Sequence, residues 1–190
     1  MIARKLTLGG IAGGVIYFLW SFFSWVLLPW HLATTEKFSD EDLVANALRA
    51  NAPKKGIYIL PNVHKQDPGT EKDYDRIAEE AAKDRMRTGP FAFAAVTPNG
   101  MEPDMGRTML LSFAAQILGA ILLSYLLLQT TGLSYSKKVF FVAASAVTAN
   151  VLCQFPYWIW WGFGTSYTLV SLLDVTIGWT LAGLAIAKIV

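Results

Sequence analysis

Residues Leu8 to Trp30 run without a charge, and three similar stretches fill the chain from Met109 onward, at about 109–131, 139–161 and 166–188. About 20 apolar residues are enough to cross the ~30 Å hydrocarbon core of a bilayer. Between the first run and the others lies a charged segment, residues 31–107, whose pattern changes every few residues. The expected fold is a membrane all-α bundle of four transmembrane helices. A small α+β extracytoplasmic domain is inserted between helices 1 and 2. The segments are then 1–30 (first helix), 31–107 (inserted domain) and 108–190 (helices 2 to 4).

Within the inserted segment the short-range pattern is helix, strand, helix, strand. Ser39, followed by Asp40-Glu41-Asp42, predicts a helix start, with Phe38 and Leu43 at the two positions of a hydrophobic staple. Asn51 and Pro53 end that helix. Gly56-Ile57-Tyr58-Ile59-Leu60 reads as a strand stopped by Pro61. Asp67-Pro68-Gly69 reads as a turn. Thr70 to about Met86 reads as a second helix with a thin apolar face of Tyr74, Ile77, Ala78 and Ala81. Phe91 to Val96 reads as a second strand. Two strands alone are marginal, so the domain is expected to lean on the membrane, a second copy or a partner protein.

Charge sets the expected direction of the spans. Arg4 and Lys5 precede the first, Lys137 and Lys138 occupy the short loop between the second and third, and Lys188 ends the fourth. The opposite loop, Gly162 to Ser166, has no Lys or Arg. The positive-inside rule then puts both termini in the cytoplasm and residues 31–107 outside, which is the periplasm for a bacterial inner membrane. That segment carries 11 Lys/Arg against 13 Asp/Glu, a balance of −2. Long segments cross largely regardless of charge, so the short loops decide. The first run ends in Phe22, Phe23, Trp25, Pro29 and Trp30 with no small-residue cleavage site, and reads as a retained anchor. Trp25, Trp30, Trp158, Trp160 and Trp161 form an expected aromatic belt at the outer interface.

The chain is 54% apolar and 16% charged, with net charge +2. No basic stripe suggests nucleic acid. The single cysteine, Cys153, lies inside the third span and has no disulfide partner. The two histidines, His31 and His64, show no metal-ligand spacing, and a metal held between His31 and its copy in an oligomer is a minor alternative. No Ser-His-Asp set can be assembled from spacing, and no cofactor motif is present; neither enzymatic activity nor a cofactor is expected.

Two features remain inside the spans. Gly9/Gly13 and Gly10/Gly14 are overlapping G-x-x-x-G pairs that admit a close helix neighbour, and Gly178 lies on a small-residue stripe with Ser171 and Ala182. Gly13→Leu is expected to separate the first span from its neighbour, and Gly14→Ala to be mild. The second feature is a carboxylate, Asp174. Counting 1.5 Å per residue from the outer end puts Asp174 at ~12 Å, Gln154 at ~10 Å, Asn150 at ~16 Å, Gln116 at ~12 Å and Ser21 at ~13 Å. This intramembrane polar layer supplies Asp174 with expected partners in Gln154 or Gln116. An unpaired carboxylate there costs about 2.5–3.5 kcal/mol or more.

The function expected from these features is an inner-membrane accessory or scaffold subunit whose outer domain binds a partner protein. A small oligomeric transporter or channel using the Asp174 layer is the rival, and a lipid- or quinone-interacting protein is the third reading.

Overall fold

The structure is a computed structural model and describes residues 2–62 and 72–190. Expected features at His64, the Asp67–Gly69 turn and the Thr70 cap lie outside the described residues, as do the side chains of Tyr74, Ile77 and Ala78. The chain divides into two units, Met1–Glu36 with Pro103–Val190, and Lys37–Glu102.

The first unit holds four long helices: α1 Ile2–Val26, and, numbered in chain order, α4 Met105–Leu128, α5 Tyr135–Trp161 and α6 Thr165–Ile189. A short 3-10 turn, Leu32–Thr34, follows α1. All four helices are long and apolar enough to cross a membrane. In each, at most 28% of the most apolar stretch is buried within the protein. Much of the remainder is exposed apolar surface, including Leu19, Phe22, Leu110, Leu118, Phe140, Leu152 and Leu173, which suits lipid far better than water. These features fit a multi-pass membrane protein.

Helix α1 packs between α4 and α6, and α5 packs mainly on α6. The glycines explain the first arrangement. A side-chain carbon at Gly9 would lie 2.6 Å from Ser124 Oγ, and at Gly13 2.7 Å from Ile186 Cδ1. At Gly14 it would strike backbone, 2.7 Å from Ile117 Cα and 2.9 Å from Ile117 N. At Gly10 it would strike Ile121. All four glycines therefore serve packing within the chain. The expectation about Gly14 is corrected: it is the glycine whose neighbour cannot yield, because that neighbour is main chain. The buried core follows the same seam, through Ala120, Leu127, Val142, Ile186 and Val190. Lys5 Nζ donates to the Val190 carbonyl at 2.8 Å, so α1 and α6 run antiparallel.

Helix α5 contains Pro156 in its final turns and is closed by Gly162, whose φ of 71° places it in the left-handed region that favours glycine. Around that turn Trp158 Nε1 donates to Thr165 Oγ1 at 3.1 Å, and Phe163 lies against both Tyr157 and Tyr167.

The second unit contains α2 Glu41–Asn51, β1 Gly56–Leu60, α3 Lys72–Thr88 and β2 Ala92–Val96. The strands pair antiparallel, with Gly56 opposite Val96 and Leu60 opposite Ala92. Asp40, not Ser39, caps α2: its Oδ1 accepts from Leu43 N at 2.8 Å. A carboxylate at that position satisfies a free N–H and suits the positive end of the helix dipole.

A buried carboxylate held by tryptophan and histidine

Asp174 sits on α6 one turn before Gly178. At Gly178 an added carbon would lie 2.5 Å from Trp20 Cδ1 and 2.7 Å from Tyr17 Cε2. The missing side chain therefore opens a notch in which the Trp20 indole of α1 lies flat enough to reach up one turn. Its Nε1 donates to Asp174 Oδ1 at 2.7 Å and to the Asp174 backbone carbonyl at 3.1 Å. Tyr17, one turn earlier on α1, stacks on Trp179 with ring centroids 4.5 Å apart and completes the seam.

The second carboxylate oxygen faces a residue from beyond the helix. After Val26 the chain turns back, with Ala33 N donating to the Pro29 carbonyl, and this return carries His31 inward. His31 Nε2 lies 3.5 Å from Asp174 Oδ2, close for an ion pair and long for a hydrogen bond. The same nitrogen is 3.0 Å from Ser24 Oγ. Ser24 Oγ in turn accepts from Trp30 Nε1 at 3.0 Å. Trp25 stacks on the imidazole, 3.8 Å between centroids and 5° between planes, and Trp30 meets its edge. Ser24, His31 and Asp174 are 0%, 5% and 7% exposed. An unpaired buried polar group is costly, and these three find partners in one another and in the Trp20 and Trp30 indoles.

If the imidazole is charged, the Trp25 face adds a cation–π contribution. Ser, His and Asp are thus brought together although spacing alone did not assemble them. The arrangement differs from a hydrolytic triad, which uses the two ring nitrogens for different partners. Here one nitrogen faces both, and the hydroxyl is sealed.

The other expected members of the layer are elsewhere. The partners of Asp174 are Trp20 and His31, and not the Gln154 or Gln116 amides; that pairing is corrected. Gln116 Oε1 and Asn150 Oδ1 are buried with no hydrogen-bond partner, while Asn150 Nδ2 is 3.5 Å from Ser171 Oγ. Ser21 lies beside the donor Trp20 on the helix but does not itself bond to Asp174. Trp25 and Trp30, expected as belt residues, also wall the cluster, whereas Trp158 and Trp160 are exposed around the α5–α6 turn and Trp161 is half-buried there. His31 is buried, and among the described residues no three of His, Cys, Asp and Glu converge as metal ligands would. A signal for Trp20 and Ser24 was present: Gly10, Gly13, Tyr17, Trp20 and Ser24 share one helical stripe, so the face that packs at the glycines also carries the donors.

The chain shows no match to a known protein family, to a curated protein or to a solved structure.

Proposed function

We propose that this chain is an accessory or scaffold subunit of a bacterial inner membrane, with both termini cytoplasmic and residues 31–107 periplasmic. In this reading the four helices anchor it and the inserted domain binds a partner protein. The supporting observation is the state of α2. The helix is amphipathic but buries no residue, and Phe38, Leu43 and Leu48 are exposed. An uncovered apolar face on a small extramembrane domain marks an interaction surface. The acidic start of the helix, Asp40 to Asp42, fits a partner whose apolar groove ends in basic groups. Charge supports the orientation, since Arg4, Lys5, Lys137, Lys138 and Lys188 all belong to one end of the bundle.

The test is the size of the native complex in gently solubilised membranes. Wild type should migrate as a heteromeric assembly, and Leu43→Glu with Leu48→Glu should release the chain while leaving its level in the membrane unchanged. Migration of the wild-type chain alone would overturn the reading.

One observation favours a second reading, a proton or cation site at Asp174. The carboxylate and the His31 imidazole are both buried and face each other at ion-pair distance, 3.5 Å. Intramembrane carboxylates are expensive to keep unless they are paired or used.

A further inference from the structure

Helix α5 contacts α6 along its length but touches α4 sparsely, and this leaves a groove open on its surface. The groove has a volume of about 500 Å³ and is lined by Leu133, Lys137, Phe140, Phe141, Ala144, Ser145 and Thr148. Apart from the loop residue Leu133, these fall at successive three- and four-residue steps and so form one stripe of α5. From Lys137 to Thr148 the stripe is ~17 Å long at 1.5 Å per residue. That is close to half of the ~30 Å hydrocarbon core, the depth of one leaflet. The lining is mostly apolar away from the Lys137 end; Ser145 adds one hydroxyl, and Thr148 turns its own back to the Ala144 carbonyl at 2.9 Å.

The charge at the mouth is one-sided. Lys138 adjoins Lys137, and Arg4, Lys5 and Lys188 belong to the same end of the bundle. Antiparallel packing puts the carboxylates of this unit elsewhere: Glu36 and Asp104 flank the opposite ends of α1 and α4, and Asp174 lies in the buried cluster. No acidic side chain of the bundle unit therefore competes for the lysines. An apolar slot one leaflet deep, opening on cations that face no carboxylate of their own unit, has the chemistry of one kind of occupant.

We propose that this groove binds an anionic glycerophospholipid, with an acyl chain along Phe140, Phe141 and Ala144 and the phosphate at Lys137 and Lys138. The inference rests on the helices spanning a bilayer and is independent of what the inserted domain binds. Selectivity comes from the lysines: one cation near a lipid phosphate contributes about fivefold in affinity, and two about 25-fold. Residence comes from the slot, where an acyl chain that replaces bulk lipid lies against the apolar lining.

The test uses the full chain in mild detergent, with phosphatidylglycerol and phosphatidylcholine of identical acyl chains titrated in and read by native mass spectrometry. Wild type should retain phosphatidylglycerol at least tenfold more tightly. Lys137→Ala should weaken it about fivefold, and with Lys138→Ala about 25-fold, while phosphatidylcholine binding stays constant. Ala144→Trp should fill the slot and abolish tight binding of phosphatidylglycerol, whereas Leu19→Trp, on an exposed face of α1, should not. Equal retention of the two lipids, or Lys137→Ala indistinguishable from wild type, would overturn the proposal. So would a lipid-free dimer that Ala144→Trp dissociates, since the groove would then belong to a second copy. Should Ala144→Trp fail to fold, the exposed Lys137 variant decides alone.

Discussion

The indole N–H of Trp20 reaches both Oδ1 and the main-chain oxygen of Asp174, at 2.7 and 3.1 Å, and so fastens α1 to α6 across 154 residues of sequence. The double acceptance matters because the Asp174 carbonyl already belongs to the helix ladder, so the indole bonds to the side chain and the scaffold that carries it. Removing the donor strands a buried carboxylate oxygen. Trp20→Phe keeps an aromatic ring but removes the N–H and part of the indole volume, and should cost about 1–3 kcal/mol or more. A lowered thermal midpoint in detergent checks this, and a midpoint equal to wild type would show that the hydrogen bond is idle.

Asp174→Asn preserves shape and can still accept from Trp20, but it cannot ionise. If Asp174 acts only as a helix clamp, the variant folds within about 1 kcal/mol of wild type and keeps its cellular phenotype. If the site handles a proton or cation, the variant folds equally well and the phenotype is lost. Asp174→Leu should destabilise in either case, because Trp20 and His31 lose their acceptor. Folding and phenotype must be scored separately, and a folded, fully active Asn variant retires the second reading of function.

Among the packing glycines, Gly14 should be the least tolerant of alanine. The added carbon meets Ile117 main chain, so α1 and α4 must move apart, at a cost of about 1–3 kcal/mol. Gly119→Ala should be milder, because its carbon would meet only the Trp179 ring edge at 3.3 Å. Thermal melts of the two variants settle the order, and a reversed order would mean the α1–α4 seam is looser than described.

The orientation can be read chemically. In a Cys153→Ala background, a cysteine at Asn99 should label with an impermeant maleimide in intact cells, and one at Ser136 only after lysis. The opposite pattern would place the inserted domain in the cytoplasm and remove the periplasmic partner.

Much of the architecture was legible because bilayer-scale hydropathy is coarse and strong. The span expected at 166–188 is α6 at Thr165–Ile189, and the strand expected at Gly56–Leu60 is β1 as drawn. The first span is shifted, expected at Leu8–Trp30 and found at Ile2–Val26, because Arg4 and Lys5 tolerate the helix's first turns and Pro29 does not tolerate its continuation. The partner of Asp174 was not legible from depth. Depth is one coordinate, and it admitted Gln154 and Gln116 as readily as Trp20. The missing coordinate is which way each helix turns, and that is set by the glycine seam. His31 escaped for another reason: hydropathy ends the helix near Trp30 and says nothing of a chain that doubles back into the bundle.

The seating of α1 between α4 and α6 has a consequence for how the protein is made. Trp20, Ser24 and His31 emerge from the ribosome early, and the oxygen they are built to hold comes 154 residues after Trp20. Until α6 inserts, the indole and imidazole of α1 have no carboxylate. Once α6 arrives, Asp174 enters hydrocarbon beside donors already in place. The costliest side chain in the bundle is thereby admitted only in company, and the seam closes only once α1 and α6 have both inserted.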